Sequence, residues 1–250
     1  MTTPRIHRIG QIVPSSNTTM ETEIPAFLNR WSAARDDLRF TFHASRMRMK
    51  HVTLDELAAM DADSRRCAAE LSDAPIDVAG YACLVAIMAM GPGYHRRSEA
   101  ALSAIAAEGG RPFPVVTSAG ALCDELTRMG HRRVSLLMPY ADGLARIVAD
   151  YVAAEGIEVV DYRNFSVTDN QEVGRIPGDR LLAALDDLDT DGADCVVMSA
   201  CVQMPSFDVL AAAGQRLGKP VTSTAECTAR SMLRRLGYDP GPLVATSSAG

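Results

Sequence analysis

The sequence predicts an α/β fold of two pseudo-symmetric halves, each a parallel sheet of βα units, produced by internal duplication and meeting at a cleft. Three observations lead there. Short apolar runs alternate with alanine-rich amphipathic stretches along all 250 residues, the pattern of strands and crossover helices. Landmarks recur in the same order in both halves. A cysteine also closes a buried apolar run at the equivalent point of each half, Cys83 after 76–82 and Cys201 after 193–200.

Taken in order, a strand at 6–13 ends in Pro14-Ser15-Ser16-Asn17-Thr18 and leads into a helix over 19–33. A strand at 38–43 and a helix at 53–72 follow. The strand at 76–82 delivers Cys83, after which come a helix at 95–108, a strand at 113–117 and a helix at 119–129. The second set has strands at 133–138, 157–162, 194–199 and 219–222, with helices at 142–155, 178–188, 206–217 and 224–236. Arg8-Ile9-Gly10-Gln11-Ile12-Val13-Pro14 corresponds to Arg133-Val134-Ser135-Leu136-Leu137-Met138-Pro139, each a strand ending in Pro before a polar loop. Arg111 to Ser118 likewise corresponds to Gly218 to Ser223, each entering a helix that ends at a glycine, Gly130 and Gly237. The expected domains are 1–118 and 119–250, with 224–250 available to pack across onto the first.

Composition narrows the function. Hydrophobic residues make up 47% and charged residues 22%, ordinary for a globular protein. A net charge of −6 and a pI near 5.4 argue against nucleic acid or an anionic membrane as partner. The longest apolar run, 82–90, is too short for a membrane span, and the N-terminus lacks an export layout, so a cytoplasmic location is expected. Six cysteines in that setting are reduced thiols. No metal-ligand spacing and no nucleotide motif occurs, so neither metal nor cofactor is expected.

A cysteine beside an apolar strand is ordinarily an inert core residue, and Cys67, Cys123, Cys195 and Cys227 are placed in that class. The equivalent placement of Cys83 and Cys201 at carboxyl ends of strands reverses the reading. Backbone N–H groups near each thiol can favour the reactive thiolate. Asp77 and Asp194, at the strand starts, belong to the opposite, surface end. The Ser15 to Thr19 loop is a good helix cap, and it is also rich in short donors suited to hold a carboxylate. Tyr140, after Pro139, mirrors Ser15, and Asn170 follows the strand at 157–162. His95 is a weak candidate that more simply begins a helix. Segments 91–93 and 169–178 are the ones placed to move if a loop closes over the cleft.

The duplicated halves with one cysteine each resemble the aspartate/glutamate racemase superfamily. Pro14-Ser15-Ser16-Asn17-Thr18, Ala82-Cys83 and Ala200-Cys201 look like its maleate cis-trans isomerase branch. Racemases of the superfamily usually carry Cys-Asn-Thr and Cys-Thr-Glu, where this chain has Cys83-Leu84-Val85 and Cys201-Val202-Gln203. Arylmalonate decarboxylases typically keep only the second cysteine, whereas both are present here.

The resemblance implies cofactor-independent conversion of maleate to fumarate, with Cys83 adding to the alkene and Cys201 as acid/base partner. Asn17, Tyr140 and Asn170, with Ser15, would hold substrate, and backbone N–H groups around Leu84, Val85, Val202 and Gln203 would stabilise developing charge. The alternatives are a two-cysteine racemase or decarboxylase, or a carboxylate-binding protein without catalysis. A homodimer is the expected assembly.

Overall fold

The computed structural model describes residues 4–243; residues 1–3 and 244–250 of the expected domain spans lie outside the described residues. Strands β1 (Arg5–Pro14), β2 (Leu38–Met47), β3 (Val78–Tyr81) and β4 (Val115–Thr117) form one sheet in the order β2-β1-β3-β4. Strands β5 (Arg133–Met138), β6 (Glu158–Asn164), β7 (Cys195–Ser199) and β8 (Val221–Ser223) form the other, β6-β5-β7-β8. All pairings are parallel. The two orders are the same permutation of equivalent strands, so the duplicated α/β fold holds. The short central strands are buried along their whole length, as a sheet covered on both faces requires.

The helices are α1 (Met20–Ser32), α2 (Leu54–Ser72), α3 (Leu84–Ala89), α4 (Tyr94–Glu108), α5 (Ser118–Arg128), α6 (Asp142–Ala154), α7 (Asn170–Val173), α8 (Gly178–Ala184), α9 (Leu210–Leu217) and α10 (Thr224–Arg235). The elements differ from expectation in five places. β2 runs on to Met47 because β1 offers an in-register partner for each residue, so polar His43 to Arg46 stay in the strand. The helix begun at Gly178 stops at Ala184, and the one expected from 206 opens as a 3-10 turn over Phe207–Val209. α3 and α7 were not expected; each is a short helix starting at a loop that follows a strand.

α10 packs against α1, α5 and both β3 and β4, and thus crosses from the second half onto the first. Gly80 leaves room for the Met232 methyl, which a Cβ there would push aside. Met20, Ile24, Val78, Ala225, Ala229 and Met232 meet in the resulting apolar cluster. Between α5 and α10 lies a buried ionic knot. Glu125, 1% exposed, accepts from Arg230 Nε at 3.2 Å and Arg234 Nε at 2.7 Å. Arg230 also donates to the carbonyls of Gly241 and Pro242 at 2.7 and 3.0 Å. Buried charges are tolerated where they are paired and hydrogen-bonded in this way.

Candidate active site

The carboxyl edges of both sheets converge on one cavity of about 280 Å³. β3 ends at Tyr81 and delivers Cys83 to the start of α3, and β7 ends at Ser199 and delivers Cys201 to a turn. Both thiols line the cavity, with Tyr140 from the loop after β5, Asn17 from the loop after β1, and Asn170 from the first residue of α7. Pro14, Met49, Val52, Val85 and Val202 form apolar walls. No Lys, Arg, His, Asp or Glu lines it.

Cys83 has φ 104° and ψ 75°, in the left-handed region that non-glycine residues avoid. Such a conformation costs roughly 1–3 kcal/mol and persists where the surroundings impose it. Here it turns a strand into a helix over one residue and leaves the sulfur beside the amino end of α3. The Ala86 N–H donates to that sulfur and favours the thiolate. Burial works against it, and with the charges of Cys201 and Asp61 the thiol is pushed up to about 12. Asp61 itself is buried, accepting from the hydroxyls of Tyr81 at 3.0 Å and Tyr94 at 2.5 Å.

Cys201 has more help. Ser199 Oγ shares its one proton between the carbonyls of Cys201 at 2.6 Å and Met204 at 2.9 Å, which curls the chain into a turn. That curl aims the N–H groups of Gln203 and Met204 at the sulfur, and the Tyr140 hydroxyl adds a third donor. Burial still outweighs them and raises the thiol above its ordinary value. Burial, then the charges of Cys201 and Cys83, hold the Tyr140 phenol well above its usual range, so it remains a donor. Burial thus favours the neutral form of both thiols, and a charge on Cys201 raises Cys83 further, so the two titrate as a coupled pair.

The amides around the thiols are fixed by each other. Asn17 Oδ1 accepts from Met20 N at 3.0 Å, capping α1 and leaving its NH₂ for the cavity. Asn170 donates to Ser16 Oγ at 2.9 Å. Gln203 binds the set together: its Oε1 accepts from Thr18 N and Thr19 N at 3.1 and 3.3 Å, while Nε2 donates to Ser16 O at 3.2 Å and Asn170 O at 2.9 Å. Its side chain is therefore fully occupied as a brace, and only its backbone N–H reaches a sulfur. Arg46 reinforces the same loop from outside, donating to Asn17 O at 2.6 Å.

One predicted contact does not reach the cavity. Ser15 is exposed, and its hydroxyl is exchanged with the backbone of Met49, donating at 3.2 Å and accepting at 3.1 Å. It lines an outer groove with Ser16, Thr18 and Arg175. The Leu84 side chain is wholly buried in the core, so the backbone N–H is the only group it can offer the site, as expected of it. His95 begins α4 and bonds Tyr151 Oη through Nδ1 at 2.5 Å, away from the thiols. Asp77 and Asp194 are exposed and accept backbone N–H bonds at the opposite sheet edges. Cys67, Cys123, Cys195 and Cys227 are buried, and burial raises each thiol.

Met49 and Val52 were not anticipated. They follow the extended end of β2, and their loop is stitched to the other half by Val52 N to Thr168 O at 3.1 Å and Asn170 N to Lys50 O at 3.4 Å. The alternation of β2 breaks at Ser45-Arg46, so no local sequence signal brings this loop over the cleft.

Among the described residues, no group of three or more His, Cys, Asp or Glu side chains is placed to hold a metal, and no helix is long and apolar enough to cross a membrane. Duplicated parallel sheets that each present one thiol to a small uncharged cavity define a two-cysteine α/β enzyme. The chain belongs to the arylmalonate decarboxylase family, whose profile matches residues 9–247. It is 54% identical over 235 residues to the maleate isomerase of Alcaligenes faecalis, covering 94% of this chain and 93% of that protein. Its fold matches the crystal structure of the maleate isomerase Iso from Pseudomonas putida S16 with a TM-score of 0.91 at 50% identity, over 93% of this chain and 94% of that one. A mutant Nocardia farcinica maleate cis-trans isomerase with a covalently bound succinylcysteine intermediate matches with a TM-score of 0.89 at 45% identity, over 93% and 94% of the two chains. The resemblance read from the Pro-Ser-Ser-Asn loop and the two Ala-Cys ends is borne out.

Proposed function

We propose that this protein is a maleate cis-trans isomerase that forms fumarate through a covalent succinyl adduct on Cys83. The observation that carries the reading is the pair of thiols facing one cavity that holds neutral donors and no charged side chain. Maleate is a dianion with an electron-poor double bond, and rotation is blocked until the π bond is removed. A sulfur nucleophile removes it by addition, a step that calls on neither metal nor redox cofactor.

In this mechanism the reactive form of the site is the singly ionised pair, one of the two thiol protons having left to solvent from Cys201. The proton moves from Cys83 Sγ to Cys201 Sγ, and the Cys83 thiolate adds to C2 of maleate. The electron pair of the π bond passes to C3 and its carboxylate, and Cys201 returns the proton to C3. C2–C3 is then a single bond and rotates. Cys201 next removes a proton from C3, the C–S bond breaks with its electron pair returning to Cys83, and fumarate leaves. Asn17, Asn170 and Tyr140 hold the carboxylates, and the N–H groups at the start of α3 and after Cys201 oppose the charge as it develops. Val85 and Val202 keep water from the adduct.

The alternative of a racemase or decarboxylase using the same thiols is less well supported, because relatives at 47–54% identity over nine-tenths of the chain are maleate isomerases. We place the protein in the cytoplasm, where its six free thiols stay reduced. A homodimer is proposed with it, and sedimentation equilibrium of the reduced protein tests that assignment. The test of function is proton NMR of maleate with reduced protein and no added cofactor. Conversion of the maleate vinyl resonance to that of fumarate supports the reading, and an unchanged spectrum from folded protein refutes it.

A further inference from the structure

Glu23 lies on α1 and is 7% exposed. Its Oε1 accepts from the amides of Ser206 at 2.5 Å and Phe207 at 2.6 Å, which end the turn that Cys201 begins. The turn is thus pinned at both ends, by Ser199 Oγ near its start and by Glu23 at its close. Thr19, also next to α1, secures the middle by donating to Gln203 O at 2.8 Å. Glu23 and Ser206 both line a pocket of about 260 Å³ on the far side of this turn, where Glu23 Oε2 and Ser206 Oγ find no partner among the described residues. The titratable and charged groups that face Glu23 are Asp208 and Cys201, both from this segment; α8 contributes only Gly178 to the pocket.

A carboxylate this well buried, with one oxygen fully engaged and one idle, acts in two ways. It braces the turn, and it places a negative charge on the Cys201 side of the two-thiol pair. We propose that ionised Glu23 is a positioning residue for the isomerisation: it holds the 201–207 turn against the Cys201 sulfur and biases the shared proton onto Cys201, leaving Cys83 as the nucleophile. The assignment rests on the isomerase reading of the site. The proton passes from one sulfur to the other, so no further reactant enters. Asp61 stands on the Cys83 side, and its charge pulls the proton the opposite way.

Burial lifts the Glu23 carboxyl to about 7 against the pull of its two amides, with the Asp208 charge adding to the rise. Its effect on the thiols is therefore present above that pH and absent below it. Glu23→Gln keeps a carbonyl oxygen for both amides and removes the charge. The test compares this variant with the unmodified protein by the rate of iodoacetamide labelling at Cys201, resolved from other cysteines by peptide mass spectrometry, and by kcat/KM for maleate. At pH about 8.5 the variant should label Cys201 about threefold faster or more, equivalent to a fall of roughly half a unit in the thiol pKa. At the same pH its kcat/KM should fall by a similar factor. At pH about 6, where Glu23 is neutral in both proteins, both ratios should approach one.

A labelling ratio that is the same at both pH values, whether raised or equal to one, overturns the proposal, since a loosened turn exposes Cys201 regardless of pH. If the variant does not fold, the unmodified protein decides: an inflection near pH 7 in its Cys201 labelling profile supports Glu23, and a single thiol titration overturns it. Labelling needs no substrate, so a protein inactive on maleate that still shows the pH-dependent ratio would refute the isomerase reading while leaving the Glu23–Cys201 coupling in place.

Discussion

Replacing Tyr140 by Phe removes one oxygen and leaves the ring in its buried place, 3% exposed at the cavity wall. The Cys201 sulfur then keeps the Gln203 and Met204 N–H donors and loses the third. A hydrogen bond to a charged group contributes about 1.5–3 kcal/mol, and each 1.4 kcal/mol is about tenfold in rate. If that bond acts when Cys201 carries charge, kcat/KM for maleate falls by roughly 10- to 100-fold. Thermal stability should change little, because the phenol's polar partner in the resting state is a sulfur and no backbone group is left unpaired. The Cys201 thiol should also become harder to ionise, since one of the causes lowering it is gone, and iodoacetamide should label it more slowly at neutral pH. Stopped-time NMR assays for fumarate and peptide-resolved labelling give both numbers. A Tyr140→Phe protein with kcat/KM within twofold of the original and unchanged Cys201 labelling would refute the role given to this hydroxyl.

Gln203→Glu sets carboxylate oxygens against the carbonyls of Ser16 and Asn170 in place of the two N–H bonds observed. At about 1 kcal/mol per lost bond, Tm should fall by roughly 4–8 °C, and KM for maleate should rise as Asn17 and Asn170 lose their shared brace; calorimetry and steady-state kinetics check the pair of effects. Glu125→Ala takes from Arg230, itself 2% exposed, its nearest carboxylate and leaves it only Glu226 at 3.9 Å. The cost is about 3 kcal/mol, or roughly 6–12 °C in Tm, with turnover at 25 °C unchanged because the knot lies between α5 and α10, away from the thiols.

The fold was legible because duplication repeats its signals. Pro14 and Pro139 mark equivalent strand ends, Gly130 and Gly237 equivalent helix ends, and buried β3 and β7 stand out as apolar runs. Boundaries failed where tertiary pairing overrode local pattern. β2 continues through His43-Ala44-Ser45-Arg46 because β1 supplies partners, and α3 hides in an apolar run, 84–89, whose composition does not separate a short helix from a strand.

At the site, the positions of the two cysteines follow from chain order alone, whereas their environment depends on contacts between distant segments. Nothing local marks Gln203 as the residue whose amide ties the Ser16–Thr19 loop to Asn170, at separations of 33 to 187 residues. Glu23 looks like an ordinary residue of an amphipathic helix until the Ser206 and Phe207 amides are brought to it. Ser15 was misjudged for the same reason: a hydroxyl in a donor-rich loop reads as a ligand, but the extended end of β2 puts the Met49 backbone within its reach.

Covalent addition at Cys83 is the central claim, and mass spectrometry of Cys201→Ser after exposure to maleate tests it most directly. The serine hydroxyl keeps a proton relay at this position but is a poorer acid and base than the thiol, so the adduct should accumulate, and digestion should place one added maleic acid on the peptide that contains Cys83. A folded Cys201→Ser protein that carries no addition at Cys83, under conditions where the unmodified protein makes fumarate, would contradict the account.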